Sequence, residues 1–231
     1  MAPERPHAPS PVRSGPPRPG LRPVLVGGVG YRWQSDSSFG LVAVDALAER
    51  HWPAGTDIRD LGYGAIYAAQ DIAAVVPRYR KAIFIAGVSR GRPPGRLYPW
   101  RWVERKLDPE EVQERIREAG AGVIHLDHLL AVAEYFGALP SDVVILEAEP
   151  VVAGPGQELS PRMRGILPEV LQRVRGEVAE VVGNLPGVGG FPGAYDPGMA
   201  PDPAGADAAT RAAWNPAPPG GGRASWDLEE G

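Results

Sequence analysis

The stretch Gly27–Gly40, GGVGYRWQSDSSFG, decides how the rest of the chain is read. It follows the apolar run PVLVGG and precedes LVAVDALAERH, whose apolar residues recur at helical spacing. A glycine-rich turn between a buried strand and a helix is where α/β proteins hold their ligands. Yet the stretch has no lysine and no histidine, and Asp36 is its only carboxylate. A dinucleotide fingerprint needs a third glycine where Trp33 stands, and the indole would block the helix–strand contact. The phosphate-loop pattern fails for want of Gly-Lys-Ser/Thr. Without a G-x-S-x-G elbow, Ser35, Ser37, Ser38 and Ser89 read as cap and turn residues.

Working outward, strands alternate with helices. Strands are predicted at 23–29, at TDIRDLG ending near Asp60, at 81–89 and at 141–150. Helices are predicted at 37–51 with Ser37 or Ser38 as N-cap, and at 65–79 with a break near Pro77. Further helices follow at 108–120, 125–137 and 160–182. This order implies an α/β fold of three layers: a mainly parallel, twisted sheet with helices on both faces. The loops after the first three strands, at 30–38, 60–64 and 87–95, then carry the binding chemistry.

Proline (27) and glycine (30) are abundant in the 231 residues, and the excess sits at the ends. Residues 1–22 hold seven prolines and four arginines against one glutamate, a Pro/Arg-rich arm expected to be disordered. Residues 184–231 hold six acids against Arg211 and Arg223, a Pro/Gly-rich acidic tail with the same expectation. Residues 23–183 are left as one domain of ordinary size. A net charge of −4 without a basic cluster argues against nucleic acid, and no apolar run is long enough to span a membrane. The absence of cysteine and of a secretory signal fits a cytoplasmic protein.

Two histidines three apart, His125 and His128 in HLDH, would share a helix face and could grip one ion; capping and burial are the plainer explanation. Tyr31, Trp33 and Tyr63, the last between Gly62 and Gly64, suit a partner-binding face, with core packing of Trp33 as the alternative.

The order of these pieces resembles the hydrogenase maturation proteases, which trim the carboxyl terminus of the nickel–iron hydrogenase large subunit. The resemblance rests on VLVGGVGYRWQSDSSFG, DLGYGA, AIFIAGV, HLLAVAEYFGALP and VVILEAEPVVAGPGQELSP in that order. It implies a partner, the large subunit or another maturation factor. It also implies no stably bound cofactor, only the nickel of the substrate, approached by a carboxylate, an aspartate and a histidine. Those three family positions fall on Ser37, Gly87 and Gly122, none of which is a ligand of the required kind. The expectation is therefore a pseudoenzyme that binds within the maturation pathway. An active endopeptidase with a site rearranged around Asp36, His125 and His128 is one alternative. An α/β binding protein unrelated in function is the other.

Overall fold

The computed structural model describes residues 24–76, 78–103 and 108–183, so the expectations for the arm and the tail lie outside the described residues. Its strands are β1 (Val24–Val29), β2 (Thr56–Asp60), β3 (Lys81–Gly87), β4 (Leu97–Arg101) and β5 (Asp142–Ala148). Its helices are α1 (Phe39–Ala48), α2 (Ala65–Ala73), α3 (Pro109–Gly120), α4 (Leu126–Tyr135) and α5 (Pro161–Gly183). The sheet runs β2-β1-β3-β5-β4, parallel throughout except for β4, which pairs antiparallel with β5.

Side chains alternate across the sheet. Leu25, Phe84 and Ile145 join α2, α3 and α4 in one apolar cluster, while Val26, Ile85 and Leu146 join α1 and α5 in a second. Both faces are covered, which is why these strands read as continuous apolar runs. Each fully buried Leu, Ile or Phe contributes about 1.5–3 kcal/mol, and the two clusters define the three layers.

Four details differ from the sequence reading. β4 was not expected, because LYPWR contains Pro99. Glu149 donates its N–H to the Arg96 carbonyl, and Trp102 donates to Val143. That register leaves the Pro99 nitrogen facing away from β5, which is where an edge strand tolerates proline. Second, α2 ends at Ala73 rather than running on to 79, since the residue before a proline is pushed out of the helical region.

Third, a 3-10 turn at Ser35–Ser38 precedes α1. Ser38 is the N-cap residue, but its hydroxyl accepts from the Gln34 N–H (2.9 Å) and not from α1. Fourth, Gly40 provides the close helix–strand contact that Trp33 could not. A Cβ there would sit 2.6 Å from the Val29 carbonyl oxygen.

Candidate functional site

The chain leaves β1 for β2 on one side and later returns to β3 on the other, so strand order reverses between β1 and β3. In open α/β sheets ligands occupy the crevice at that point, beyond the carboxyl ends of the strands. Here backbone fills the crevice.

The filling begins in the loop after β1. Trp33 (φ 60°) and Ser35 (φ 46°) are the non-glycine residues with positive φ among the described residues. Such conformations cost about 1–3 kcal/mol each and persist only where the surroundings over-determine them. The Trp33 carbonyl accepts from the Gly156 N–H, and the Ser35 N–H donates to the Gly156 carbonyl, both at 2.9 Å. Arg32 forks onto Asp45 (2.7 and 3.0 Å) and also reaches Asp60 (2.7 and 3.2 Å). The Asp45 hydrogen bonds lead in raising the guanidinium above its ordinary pKa.

Asp36 completes the clamp. Its residue is 0% exposed. Its carboxylate accepts the N–H groups of Val151 (2.9 Å), Val152 (2.7 Å) and Ser160 (2.7 Å). The side chain thus fixes the β5–α5 loop and the entry to α5. Losing it would orphan three N–H groups, at about 1–3 kcal/mol for each left buried and unpaired.

The three family positions have different surroundings. Ser37 is half-buried in the 3-10 turn. A Cβ on Gly87 would overlap the Asp36 carbonyl oxygen and lie 3.1 Å from Ser37 Cα and 3.2 Å from Phe39 Cβ. That position has neither a side chain nor room for one. Gly122 has open space around it but a φ of +88°. The Tyr31 hydroxyl donates to its carbonyl (3.2 Å) and accepts from the Ile124 N–H (2.7 Å).

The structure does not assemble the grouping of Asp36, His125 and His128. Among the described residues no three His, Cys, Asp or Glu side chains converge to hold an ion. Asp36 is spent on backbone, and each histidine has its own duty on α4. His125 caps the helix, its Nδ1 accepting the Asp127 N–H at 3.3 Å. Burial, the largest influence, pushes its imidazole below the ordinary pKa. His128 is buried, and its Nε2 bonds Glu118. The two rings stand edge to face, 5.7 Å apart.

Trp33 is 67% exposed, which removes the core-packing alternative, and Tyr31 and Tyr63 are exposed as well. The Gly62 N–H donates to Asp60 Oδ1 (2.8 Å), Gly64 occupies the α2 N-cap, and Tyr63 donates its hydroxyl to Asp71 (2.7 Å).

One cluster escaped the sequence reading. Arg90 pairs with Asp127 (2.6 Å) and Glu147 (2.8 Å), and Arg92 pairs with Glu147 (2.7 Å) and Glu149 (3.1 Å). Glu149 also accepts the N–H groups of Arg90 and Gly91, holding the 88–97 loop against β5. Burial opposes ionisation of Asp127, yet Arg90 overrides it and holds that carboxyl below its ordinary pKa. A signal was present: R-x-R at 90–92 and E-x-E at 147–149, the latter with its side chains on one face of a strand.

No family model and no curated protein matches the chain. Solved structures do. One is a hydrogenase 2 maturation peptidase from a Thaumarchaeota archaeon, 32% identical over 66% of this chain and 95% of that one, with TM-score 0.48. The hydrogenase maturating endopeptidase HybD from E. coli is 21% identical over 68% of this chain and 93% of that one, with TM-score 0.52. A further endopeptidase from Escherichia coli is 22% identical over 69% and 91%, with TM-score 0.52.

Proposed function

The chain belongs to the hydrogenase maturation peptidases, on 32% identity along 95% of a relative of that name, and from that premise we propose that it serves hydrogenase maturation by binding rather than cutting. Its partner, on this reading, is the nickel–iron large subunit or another maturation factor. The observation that carries the reading is the closure at Gly87, where the Asp36 carbonyl occupies the space a ligand side chain would need. Ser37 offers a hydroxyl in place of a carboxylate, and Gly122 offers nothing. Recognition of nickel in a substrate calls for carboxylate or neutral imidazole donors, and none remains uncommitted at these positions.

What does remain is a rigid surface. Arg32, Asp36 and Gly156 hold the loop bearing Tyr31 and Trp33, and the two exposed rings project from it. Aromatic residues on a pre-ordered loop bind a protein at low entropic cost. The test is capture of a large-subunit precursor on immobilised full-length protein. Trp33→Ala should weaken capture about tenfold or more, as expected of an anchor residue, while leaving the melting temperature within a degree or two. Undiminished capture by Trp33→Ala would remove this face from the account.

A further inference from the structure

The sheet ends differently at its two edges. At the β4 edge the outward-facing backbone includes Pro99, which has no N–H to offer another strand. β2, at the other edge, contains neither the proline nor the lysine that commonly keep an edge from pairing. Its register on β1 sets Val26 opposite Ile58, and Gly55 and Leu61 supply the flanking hydrogen bonds to Val24 and Gly28. The odd-numbered residues of β2 therefore face β1. The N–H and C=O of Ile58 and the N–H of Asp60 point the other way, and among the described residues nothing bonds them.

Side chains on this strand alternate between the two faces of the sheet. Ile58 packs with the cluster of α1 and α5. Asp57 and Arg59 share the opposite face, where the Tyr79 hydroxyl donates to Asp57 (2.6 Å). Arg59 bonds Asp57 through Nε alone (2.8 Å), and both of these contacts fall on Asp57 Oδ2. Asp57 Oδ1 and the two Arg59 Nη groups are left without a partner among the described residues, and both side chains are partly open to solvent.

A second copy of β2 supplies what these groups lack. Antiparallel strands related by a two-fold axis can meet in more than one register, and the charges choose between them. An axis at Asp57 sets aspartate against aspartate, and one at Arg59 sets arginine against arginine; like charges directly opposite are destabilising. An axis at Ile58 sets Asp57 opposite Arg59 twice. Those positions form the close, non-hydrogen-bonded kind of pair, about 4.5 Å between Cα atoms. The same axis lets the two Ile58 residues exchange both of their N–H···O bonds.

We propose that the protein pairs with a second copy of itself through β2, antiparallel and centred on Ile58. The Arg59 Nη groups donate to Oδ1 of the partner's Asp57, and the reciprocal pair forms on the other side of the axis. Such an interface uses the same patch on both copies, and one sheet runs through the dimer. This pairing uses no residue of the Tyr31–Trp33 loop, so it stands or falls apart from the binding role proposed above.

Sedimentation velocity of the full-length chain over a concentration series provides the test, and the wild type is expected to dimerise. Arg59→Asp places like charge opposite Asp57, and Asp57→Arg places like charge opposite Arg59. Each variant should raise the dimer Kd about tenfold or more. Mixing the two variants restores opposite charge at both pairs, so a mixed dimer should return. Asp57→Arg also forfeits the Tyr79 bond, so circular dichroism checks its fold, and if it unfolds Arg59→Asp alone decides. A wild type that stays monomeric, a dimer undiminished by Arg59→Asp, or folded variants that stay monomeric when mixed would overturn the proposal.

Discussion

The two ends of the sheet carry charge clusters of the same composition and opposite construction. At the amino end, Lys81 and Arg101 meet Asp142, Glu177 and Glu180. At the carboxyl end, Arg90 and Arg92 meet Asp127, Glu147 and Glu149. Each has two cations and three carboxylates. In the first the cation is buried, with Lys81 at 1% exposure, and its carboxylates reach water. In the second the anions are buried, with Glu147 and Glu149 at 2% and 4%, and the guanidiniums close over them. The first cluster ties α5 to the sheet. The second commits its carboxylates to Arg90 and Arg92, with only Asp127 partly open to solvent.

This contrast sets the size of the expected effects. Arg92→Ala takes one ion-pair partner from each of two buried carboxylates, leaving Glu147 with Arg90 and Glu149 with the N–H groups of Arg90 and Gly91. It also removes a guanidinium stacked 4.2 Å from the Tyr98 ring. Breaking a buried pair from one side costs about 3–5 kcal/mol, to be read from denaturant midpoints. Lys81→Met leaves carboxylates that water can solvate, so the loss should be smaller, roughly 1–3 kcal/mol. Equal losses would erase the distinction between the two ends.

Gly87 sharpens the comparison from within the crevice. Gly87→Ala must displace the backbone of Asp36 and Ser37, at about 1–3 kcal/mol. Gly87→Asp, the residue that the resemblance implies at this position, should destabilise further, because the carboxylate enters packed space. A neutral or stabilising Gly87→Ala would mean that the crevice is open.

The smallest effect concerns pH. The folded pKa of His125 lies below its ordinary 6.5, so beneath that pH the unfolded chain binds a proton that the folded chain does not. Its contribution to stability is complete above pH 6.5 and is lost as pH falls. Asp127, also lowered from its ordinary 3.8, contributes above that value and acts in a separate, more acid window. His125→Asn keeps a capping acceptor, so it should cost under about 0.5 kcal/mol at pH 8 and flatten the slope as pH falls below about 6.5. An unchanged slope would mean that the cap does not titrate.

Much of the scaffold was legible because its signals are local. Continuous apolar runs fixed the buried parallel strands, and Asp108-Pro109 marked the start of α3, where the Asp108 side chain accepts the Glu110 N–H at 2.9 Å. β4 was not legible, because Pro99 is tolerated only through a register set by β5, far along the chain. The site was half legible. The sequence left Trp33 open between exposure and core packing, and its 67% exposure emerged only with the structure. The correspondence of Ser37, Gly87 and Gly122 to family ligands is only what the resemblance implies, though the residues themselves could be read directly. The role of Asp36 could not, since its three partners lie 115 to 124 residues away. The Arg90–Glu147 cluster likewise exists only once β3, β5 and α4 are packed together.

The central claim is that this family member does not cut. Its most direct test is incubation of the full-length protein with a nickel-loaded large-subunit precursor, followed by intact-mass measurement of the precursor. The account expects an unchanged mass after prolonged incubation, with the precursor still captured on the protein. Stoichiometric release of a carboxyl-terminal peptide by the wild type, abolished by His125→Ala, would contradict it and establish a working site.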